Sequence, residues 1–233
     1  MNYAIIAAGE GSRLVSEGVA SPKPLVNLDG RPMIGRLIDI FMQNDAESLS
    51  IIVNEQMTEV AEYLRSRTYP VPFNLVVKST PSSMHSFWEV SRGFRPGKFC
   101  LTTVDTIFRA DDFARYIRAF EAMEGERAGM MAVTPYIEDE KPLYVEVDSE
   151  NRITAFSDTA TSPLVSGGIY GLTSPSALDI LRRCIDNGTS RMRNYQRALV
   201  HDGERLQAFV IDKIVDVDHA DDIARARTFI AGM

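Results

Sequence analysis

A short apolar run, Tyr3 to Ala8, opens the chain and ends directly in a glycine-rich turn. Its length suits one buried strand and is too short for a helix. Gly9 and Gly11 follow at once, so several backbone N–H groups are left unpaired at the carboxyl end of the strand, and glycine lets an anion approach them closely. Arg13 and the later Lys23 add positive charge that suits phosphate oxygens. Together these residues predict a loop that binds a polyphosphate.

Other interpretations of this loop fit the sequence less well. A dinucleotide-binding fingerprint requires a third glycine where Leu14 stands, and an acid about 20 residues on that ends a second strand. The acid found there is Asp29, which lies in an Asp-Gly turn. A Walker loop requires its lysine beside the last glycine, whereas Lys23 is far from Gly11. An ordinary tight turn with a solvated arginine remains, and the Pro-Lys-Pro-Leu segment at 22–25 disfavours it.

Alternating apolar segments after the loop predict the fold class. Helical spacing of apolar residues is found at 32–44 and 55–67, whereas 49–53, 72–77 and 99–104 are short apolar runs typical of strands. This alternation predicts an α/β fold whose doubly wound, mixed and mainly parallel sheet has helices on both faces. Further strands are predicted at 130–133, 143–147, 152–156 and 206–211, and further helices at 87–94, 111–123, 175–184, 191–201 and from 223 onward.

Composition limits the class of protein and its partners. The 233 residues are 45% hydrophobic and 24% charged, an ordinary balance for a globular chain, and we assign 1–233 to one domain. A formal net charge of −7 disfavours nucleic acid and anionic membranes as partners. No apolar run is long enough to span a bilayer and no leader-like segment is seen, which predicts a cytoplasmic protein. Cys100 and Cys184 have apolar neighbours and are predicted to be buried thiols.

Two acidic residues are candidates for special roles. Asp105 follows the predicted strand 99–104, and the carboxyl ends of parallel strands form the edge where such sheets bind ligands. A carboxylate there suits Mg²⁺, with phosphates supplying other oxygens, although a turn or cap role fits the residue taken alone. Asp218 precedes the last predicted helix, where an N-cap role is the simplest interpretation.

A hydroxyl-rich segment at 79–86 precedes the helix predicted at 87–94. Backbone and hydroxyl groups at a helix start offer partners for a nucleobase edge or an anion. From chemistry alone, a plain N-cap is the simpler interpretation. His85 by itself indicates a satisfied loop histidine rather than a catalytic group.

Three motifs carry a resemblance to a known family. They are Ala-Ala-Gly-Glu-Gly-Ser-Arg-Leu at 7–14, Ser-Pro-Lys-Pro-Leu at 21–25 and Gly-Arg-Pro-Met-Ile at 30–34. In order and spacing they resemble the opening of the nucleotidyltransferase superfamily, which includes sugar-1-phosphate nucleotidylyltransferases and phosphocholine cytidylyltransferases. The resemblance implies a GT-A-like fold and a Mg²⁺-dependent enzyme that transfers a nucleoside monophosphate from an NTP to a phosphorylated small-molecule acceptor.

The resemblance also implies roles for individual residues. It makes Arg13 and Lys23 catalytic contacts to the triphosphate, and Asp105 and Asp218 the two metal ligands. Tyr170, near the acceptor in the family, is equally suited to filling the core. Nucleotide binding is implied for Ala8, Gly9, Gly11, Ser12, Ser82, Ser83 and Ser86, and acceptor binding for Gly168 and Tyr170.

Two departures from the family pattern leave the acceptor open. Val104 stands where a glycine usually precedes the metal aspartate, and 157–159 is Ser-Asp-Thr where many sugar nucleotidyltransferases have Glu-Lys-Pro, whose lysine contacts the sugar phosphate. The first acceptor implied is a sugar 1-phosphate, and the second is a phosphorylated alcohol such as phosphocholine, the substrate of a cytidylyltransferase. A catalytically silent nucleotide-binding regulator is a further alternative. A glycosyltransferase of similar fold is another alternative. Such an enzyme would place an Asp-x-Asp motif just after the fourth strand, whereas the only Asp-x-Asp of this sequence is at 216–218.

Overall fold

A nine-stranded sheet runs through the protein in the computed structural model, which describes residues 1–138 and 140–232. The strands are β1 (Asn2–Ala7), β2 (Asn27–Leu28), β3 (Arg31–Pro32), β4 (Ser48–Val53), β5 (Phe73–Val77), β6 (Lys98–Thr103), β7 (Thr106–Ile107), β8 (Ala128–Thr134), β9 (Tyr144–Val147), β10 (Ile153–Ser157), β11 (Val165–Thr173), β12 (Arg205–Val210) and β13 (Val215–Asp216). The helices are α1 (Ser12–Ser16), α2 (Met33–Met42), α3 (Thr58–Arg65), α4 (Ser83–Ser91), α5 (Ala110–Ala122), α6 (Ser176–Asp186), α7 (Met192–His201) and α8 (Ala220–Ala231), with a 3₁₀ turn at Lys23–Leu25.

The strand order sets a group of parallel strands beside a group of mixed direction. The main path is β10-β9-β11-β6-β1-β4-β5, and β8 pairs with β11 and β12. Strands β6, β1, β4 and β5 are parallel, whereas β11 is antiparallel to both β6 and β8. Ile6 of β1 lies opposite Thr103 of β6 and Ile52 of β4, so the loops after these strands leave the same edge of the sheet. The predicted mixed, mainly parallel α/β sheet is confirmed.

The first strand is buried on both faces, which explains the unbroken apolar run that starts at Tyr3. Alternate side chains of β1 enter different cores: Tyr3 and Ile5 join one cluster with α2, α3 and α5, whereas Ala4 and Ile6 join another with α4, α6 and α7. At roughly 1.5–3 kcal/mol for each large apolar side chain withdrawn from water, these two cores supply the main force that holds helices against the sheet. The predicted helical cover on both faces follows directly from this alternation.

Most predicted elements lie within a few residues of the observed ones, with one correction that bears on the site. The helix predicted at 87–94 is α4, which begins at Ser83 and ends at Ser91. Ser83, His85 and Ser86 are therefore helical residues, and the interpretation of His85 as a loop histidine was wrong. Short polar residues can occupy a first helical turn because their side chains find local partners there, and the apolar spacing used for prediction does not register them.

Two small strand pairs were also not predicted from the sequence. β2 pairs with β3, and β13 pairs with β7, each over two residues and each antiparallel. Strands this short carry too few residues to show an alternating pattern.

Cys100 and Cys184 are free and buried, as predicted. Within the described part of the chain, no helix combines the length and the hydropathy needed to cross a bilayer. The cytoplasmic location stays a prediction.

Candidate active site

The loop after β1 is shaped by one glycine in particular. Gly11 has a φ of +62°, and a Cβ added there would lie 2.9 Å from Cβ of Lys23. A side chain at this position would meet both backbone strain and a steric conflict with the lysine stem. By contrast, a Cβ on Gly9 would meet nothing within 4 Å. Gly11 therefore lets the lysine pack directly against the loop.

Lys23 lies at the centre of an ionic cluster. Its Nζ lies 2.6 Å from Oδ2 of Asp105 and 2.6 Å from Oδ1 of Asp218. Its side chain is only 10% exposed. Burial lowers the pKa of the Lys23 ammonium, but Asp105 and Asp218 outweigh burial and the net shift is well upward. The lysine is therefore a permanent positive charge in this cluster.

Asp105 reaches the cluster from the end of β6. Burial raises the pKa of its carboxyl group, but the Lys23 charge and hydrogen bonds from Lys23 and the Thr103 hydroxyl bring the net pKa below its usual value. Val104, in the position of the expected glycine, donates its backbone N–H to the Ile6 carbonyl at 3.1 Å. The valine thus continues the pairing between β6 and β1 and delivers Asp105 to the sheet edge beside the glycine loop.

Asp218 is brought to Asp105 by backbone pairing rather than by nearness in sequence. Asp216 of β13 lies opposite Thr106 of β7, and the Val217 N–H bonds the Asp105 carbonyl at 3.2 Å. The N-cap of α8 is His219, not Asp218, so the cap interpretation of Asp218 was wrong. Its side chain is directed instead at Lys23 and, through Oδ2, at Nη1 of Arg13 at 3.2 Å.

The start of α8 is fastened to the end of α1. His219 Nδ1 lies 2.6 Å from Oε1 of Glu17, and the Ala220 N–H donates to Oε2 of the same carboxylate at 2.6 Å. The Ala220 and His219 hydrogen bonds lower the pKa of Glu17, and the Glu17 hydrogen bond raises the pKa of His219. Beneath these polar contacts, Leu14 is buried in one cluster with Val217. The positions of Arg13 and Asp218 are fixed relative to each other by this fastening.

Two cavities meet at the ionic cluster. The first, of about 510 Å³, is lined by Lys23 and Asp105, and the second, of about 460 Å³, is lined by Arg13 and Asp218. Because the lysine joins the two aspartates, the cluster lies at the boundary between the cavities. Their other lining residues include Ala8, Gly9, Gly11, Ser12, Asn54, Ser82, Ser83 and Ser86 in the first, and Glu17, Tyr136, Ser166, Gly167, His219 and Arg225 in the second.

The three serines predicted from the hydroxyl-rich segment at 79–86 all line the first cavity, and Ser82 and Ser86 already have protein partners. Ser82 Oγ lies 2.9 Å from Nδ1 of His85 and accepts a hydrogen bond from the Arg191 N–H at 3.3 Å. Ser86 is buried, with its Oγ 2.6 Å from Oγ1 of Thr80. The hydroxyls of Ser82 and Ser86 therefore line the first cavity and also hold its wall together through these hydrogen bonds.

Sequence reasoning missed Asn54 in the first cavity. This buried residue follows β4, and its Oδ1 accepts hydrogen bonds from the Gln56 N–H at 2.9 Å and the Ser79 hydroxyl at 3.1 Å. Asn54 thereby ties the loop after β4 to the loop after β5. The available signal was its place at the carboxyl end of a parallel strand, the same signal that identified Asp105.

The residues predicted for the acceptor, Gly168 and Tyr170, follow the part of β11 that lines the second cavity. Gly168 has a φ of +72°, and a Cβ there would lie 2.4 Å from Oγ1 of Thr106, so glycine permits a close strand approach. Tyr170 is buried in the core, and burial raises the pKa of its hydroxyl. Neither residue lines the cavity, whereas the nearby Ser166 and Gly167 do. Tyr170 packs in the core, and the roles of Gly168 and Tyr170 in acceptor binding stay predictions.

The carboxylates of Asp105 and Asp218 fit a divalent ion whose other ligands are phosphate oxygens. Among residues 1–138 and 140–232, no group of three or more carboxylate, imidazole or thiolate side chains is arranged to hold a metal. Asp105 and Asp218 each lie 2.6 Å from the same Lys23 ammonium nitrogen, so their nearest carboxylate oxygens can be no farther apart than twice that distance. Mg²⁺ is commonly bound by one or two carboxylates together with substrate phosphates and water. These two carboxylates suit that arrangement.

Comparison with known proteins identifies the family. A profile described as Nucleotidyl transferase matches residues 3–232, and the chain therefore belongs to the nucleotidyl transferase family, a family of nucleotidyltransferase enzymes. The bifunctional protein GlmU of Methanococcus maripaludis is 22% identical over 213 residues, covering 88% of this chain and 48% of that protein. GlmU of Methanococcus vannielii is 23% identical over 175 residues, covering 74% and 41%. The chain thus spans about half the length of these curated relatives or less.

Solved structures share the fold at low sequence identity. The inositol-1-phosphate CTP transferase of T. maritima superposes with a TM-score of 0.79 at 18% identity, covering 98% of this chain and 95% of that one. A Bacillus anthracis protein described as a glucose-1-phosphate thymidylyltransferase gives a TM-score of 0.85 at 18% identity, covering 100% and 96%. These likenesses confirm the predicted nucleotidyltransferase fold.

Proposed function

We propose that the protein transfers a nucleoside monophosphate from an NTP to a sugar 1-phosphate in a Mg²⁺-dependent reaction that releases pyrophosphate and forms an NDP-sugar. The observation that supports this proposal best is the position of the ionic cluster, in which Lys23, Asp105 and Asp218 lie between two cavities. The first cavity begins at the glycine loop and would hold the NTP. The second would hold the acceptor, so that the two substrates meet at the cluster.

The proposed chemistry requires alignment and charge neutralisation rather than proton abstraction. The acceptor phosphate is already an anionic nucleophile, so no general base is needed, and attack at the α-phosphorus expels pyrophosphate. Backbone N–H groups of 9–12 and the Arg13 guanidinium would bind the β- and γ-phosphates. Lys23 would neutralise charge on the α-phosphate. When bound at Asp105 and Asp218, Mg²⁺ would supply further positive charge to the phosphate oxygens.

A phosphorylated alcohol is the second candidate acceptor, and one local contact favours it. Asp158 stands in the segment where sugar nucleotidyltransferases carry their lysine, and it is paired with Arg193 at 2.6 Å and Arg197 at 2.7 Å. The positive charge in this region therefore comes from Arg193 and Arg197 of α7, and Asp158 already neutralises part of it. The lysine that contacts the sugar phosphate in those enzymes has no direct equivalent here. One structure of the same fold is by name a CTP transferase for inositol 1-phosphate, itself a phosphorylated alcohol.

The test is an acceptor screen that detects released pyrophosphate. Each NTP would be supplied with Mg²⁺ and one of glucose 1-phosphate, glucosamine 1-phosphate, inositol 1-phosphate or phosphocholine. Asp105→Asn should abolish any signal, whereas Asp202→Asn, a salt-bridged aspartate outside both cavities, should retain it. Turnover with a sugar 1-phosphate supports the first acceptor, and turnover only with inositol 1-phosphate or phosphocholine supports the second. NTP binding by calorimetry without turnover on any acceptor would favour the silent regulator.

A further inference from the structure

The ionic cluster satisfies its own charges. Lys23 bonds both Asp105 and Asp218, and Arg13 bonds the second oxygen of Asp218. Two carboxylates thus face two cationic side chains, and the cluster is electrically balanced within the protein. The ammonium group lies between the two carboxylates, in the position from which a cation contacts both.

The same two cations are the groups that suit phosphate. A divalent ion bound to both carboxylates would lie within a few ångströms of the Lys23 ammonium, and like charges at such distances repel strongly where water is scarce. A triphosphate offers this ammonium an alternative set of anionic oxygens. Metal and lysine therefore compete for the carboxylates, whereas metal and triphosphate do not.

We propose that Lys23 is an internal counter-ion that blocks divalent-cation binding at Asp105 and Asp218 until a nucleoside triphosphate draws its ammonium group away. This inference rests on the proposed metal-dependent function. The device requires little motion, because the Cβ of Lys23 is held against Gly11 and its backbone lies in a 3₁₀ turn between two prolines. Only the far end of the side chain needs to change partners.

The consequence is positive coupling between metal and nucleotide. Each ligand frees groups that the other needs: the triphosphate removes Lys23 from the carboxylates, and the metal neutralises the carboxylates that attract Lys23. By linkage, each must raise the affinity for the other by the same factor. The free enzyme would then hold metal weakly and would take it up together with the nucleotide.

The test measures Mn²⁺ binding to the nucleotide-free protein by calorimetry. Lys23→Met keeps the aliphatic stem and removes the charge, and it should bind Mn²⁺ about tenfold or more tightly than the wild type. Arg13→Met is the matched control, because Arg13 is half-exposed and contacts only Asp218 of the pair, so its gain should be smaller. The double variant Lys23→Met with Asp105→Asn should lose the gain. A folded Lys23→Met protein that binds Mn²⁺ no more tightly than the wild type would overturn the proposal.

A second measurement needs no variant and decides the matter if Lys23→Met does not fold. The ¹H–¹⁵N resonance of the Lys23 ammonium in the wild type should be unchanged by Mg²⁺ alone and should move when Mg²⁺ and NTP are added together. Displacement by Mg²⁺ alone would refute the internal counter-ion. The metal measurements need no acceptor, so the two proposals can fail separately. If Lys23→Met gains Mn²⁺ binding while the wild type turns over no acceptor, the proposed function is rejected and this inference stands.

Discussion

The two cavities that meet at Lys23 are built in different ways. The first is lined by residues that follow parallel strands: Gly9 after β1, Asn54 after β4, Ser79 after β5 and Asp105 after β6. The second is lined by residues from α1, the end of β8, the start of β11 and the start of α8. The lining of the first cavity thus follows from the parallel sheet, whereas the lining of the second comes from separate parts of the chain.

This difference predicts that the first cavity is the more constrained part of the site and the second the more adjustable part. The parallel register fixes the spacing between successive loops at the sheet edge, so the first cavity follows from the fold. The second depends on local contacts such as Glu17 with His219, which can change without disturbing the sheet. We therefore expect NTP binding to tolerate little variation and acceptor choice to be adjustable.

The largest expected effect comes from the boundary between the cavities. Asp105→Asn should lower kcat by about 10³-fold, since it removes charge at the point where we propose that both substrates meet. The KM values for NTP and acceptor should change much less than kcat. Initial rates of pyrophosphate release would measure this, with Asp202→Asn as the control. Near-normal turnover of a folded Asp105→Asn protein would remove Asp105 from the metal site.

The next effect comes from the loop that packs on Lys23. Gly11→Ala should destabilise the fold by about 1–3 kcal/mol, because alanine is strained at positive φ and would collide with the lysine stem. Chemical denaturation would measure the loss, and turnover should fall with it. Gly9→Ala, where a Cβ meets nothing, should change stability by less than about 0.5 kcal/mol. Equal losses in the two variants would contradict the role given to Gly11.

A pair of serines distinguishes the two cavities directly. Ser86→Ala should raise the KM for NTP by about fivefold while leaving the acceptor KM unchanged, since it removes the hydroxyl that bonds Thr80 in the wall of the first cavity. Ser166→Ala should raise the acceptor KM and leave the KM for NTP unchanged, because Ser166 lines the second cavity and donates a hydrogen bond to Oε1 of Gln196 at 2.8 Å. Steady-state kinetics with each substrate varied in turn would measure both. If both variants changed the same KM, the assignment of the cavities would be wrong.

The smallest expected effect is on stability at acid pH. The folded-state pKa of Asp105 is lowered, so its stabilising contribution is fully present above its unfolded pKa and is lost as pH falls through the folded value. The difference in unfolding free energy between the wild type and Lys23→Met should therefore shrink as pH falls from about 5 to about 2. Urea denaturation at several pH values would measure it. A constant difference would show that Lys23 does not hold Asp105 ionised.

The first cavity was largely predictable from the sequence because its signals are local. A short apolar run before Gly9, a hydroxyl-rich segment at Ser82 and an acid after a strand at Asp105 can each be recognised without knowing the fold. Their meeting point then follows from the rule that parallel strands end at one edge. Asn54 obeys the same rule and was missed because a lone asparagine after a strand is also a common turn residue.

The second cavity was not predictable in this way. Ser166 lies two residues before Gly168, a spacing that would place both on one face of a regular strand, but the register of β11 shifts between 166 and 170, so a sequence motif cannot say which of these residues faces the cavity. The partners Glu17 and His219 are far apart in sequence, and neither belongs to a recognisable pattern. The roles of Arg13, Lys23 and Asp218 in catalysis stay predictions, although the structure places all three together.

The two-residue pairing of β13 with β7 has a consequence for insertions and deletions. Successive side chains of a strand point to opposite sides, so one residue added between Ile214 and Asp218 would turn the carboxylate away from the lysine. The large sheet does not include β13 and would keep its pairing, whereas Val217 would be turned out of the buried cluster that it shares with Leu14. Length changes here should therefore yield protein that keeps its main sheet but is less stable and inactive.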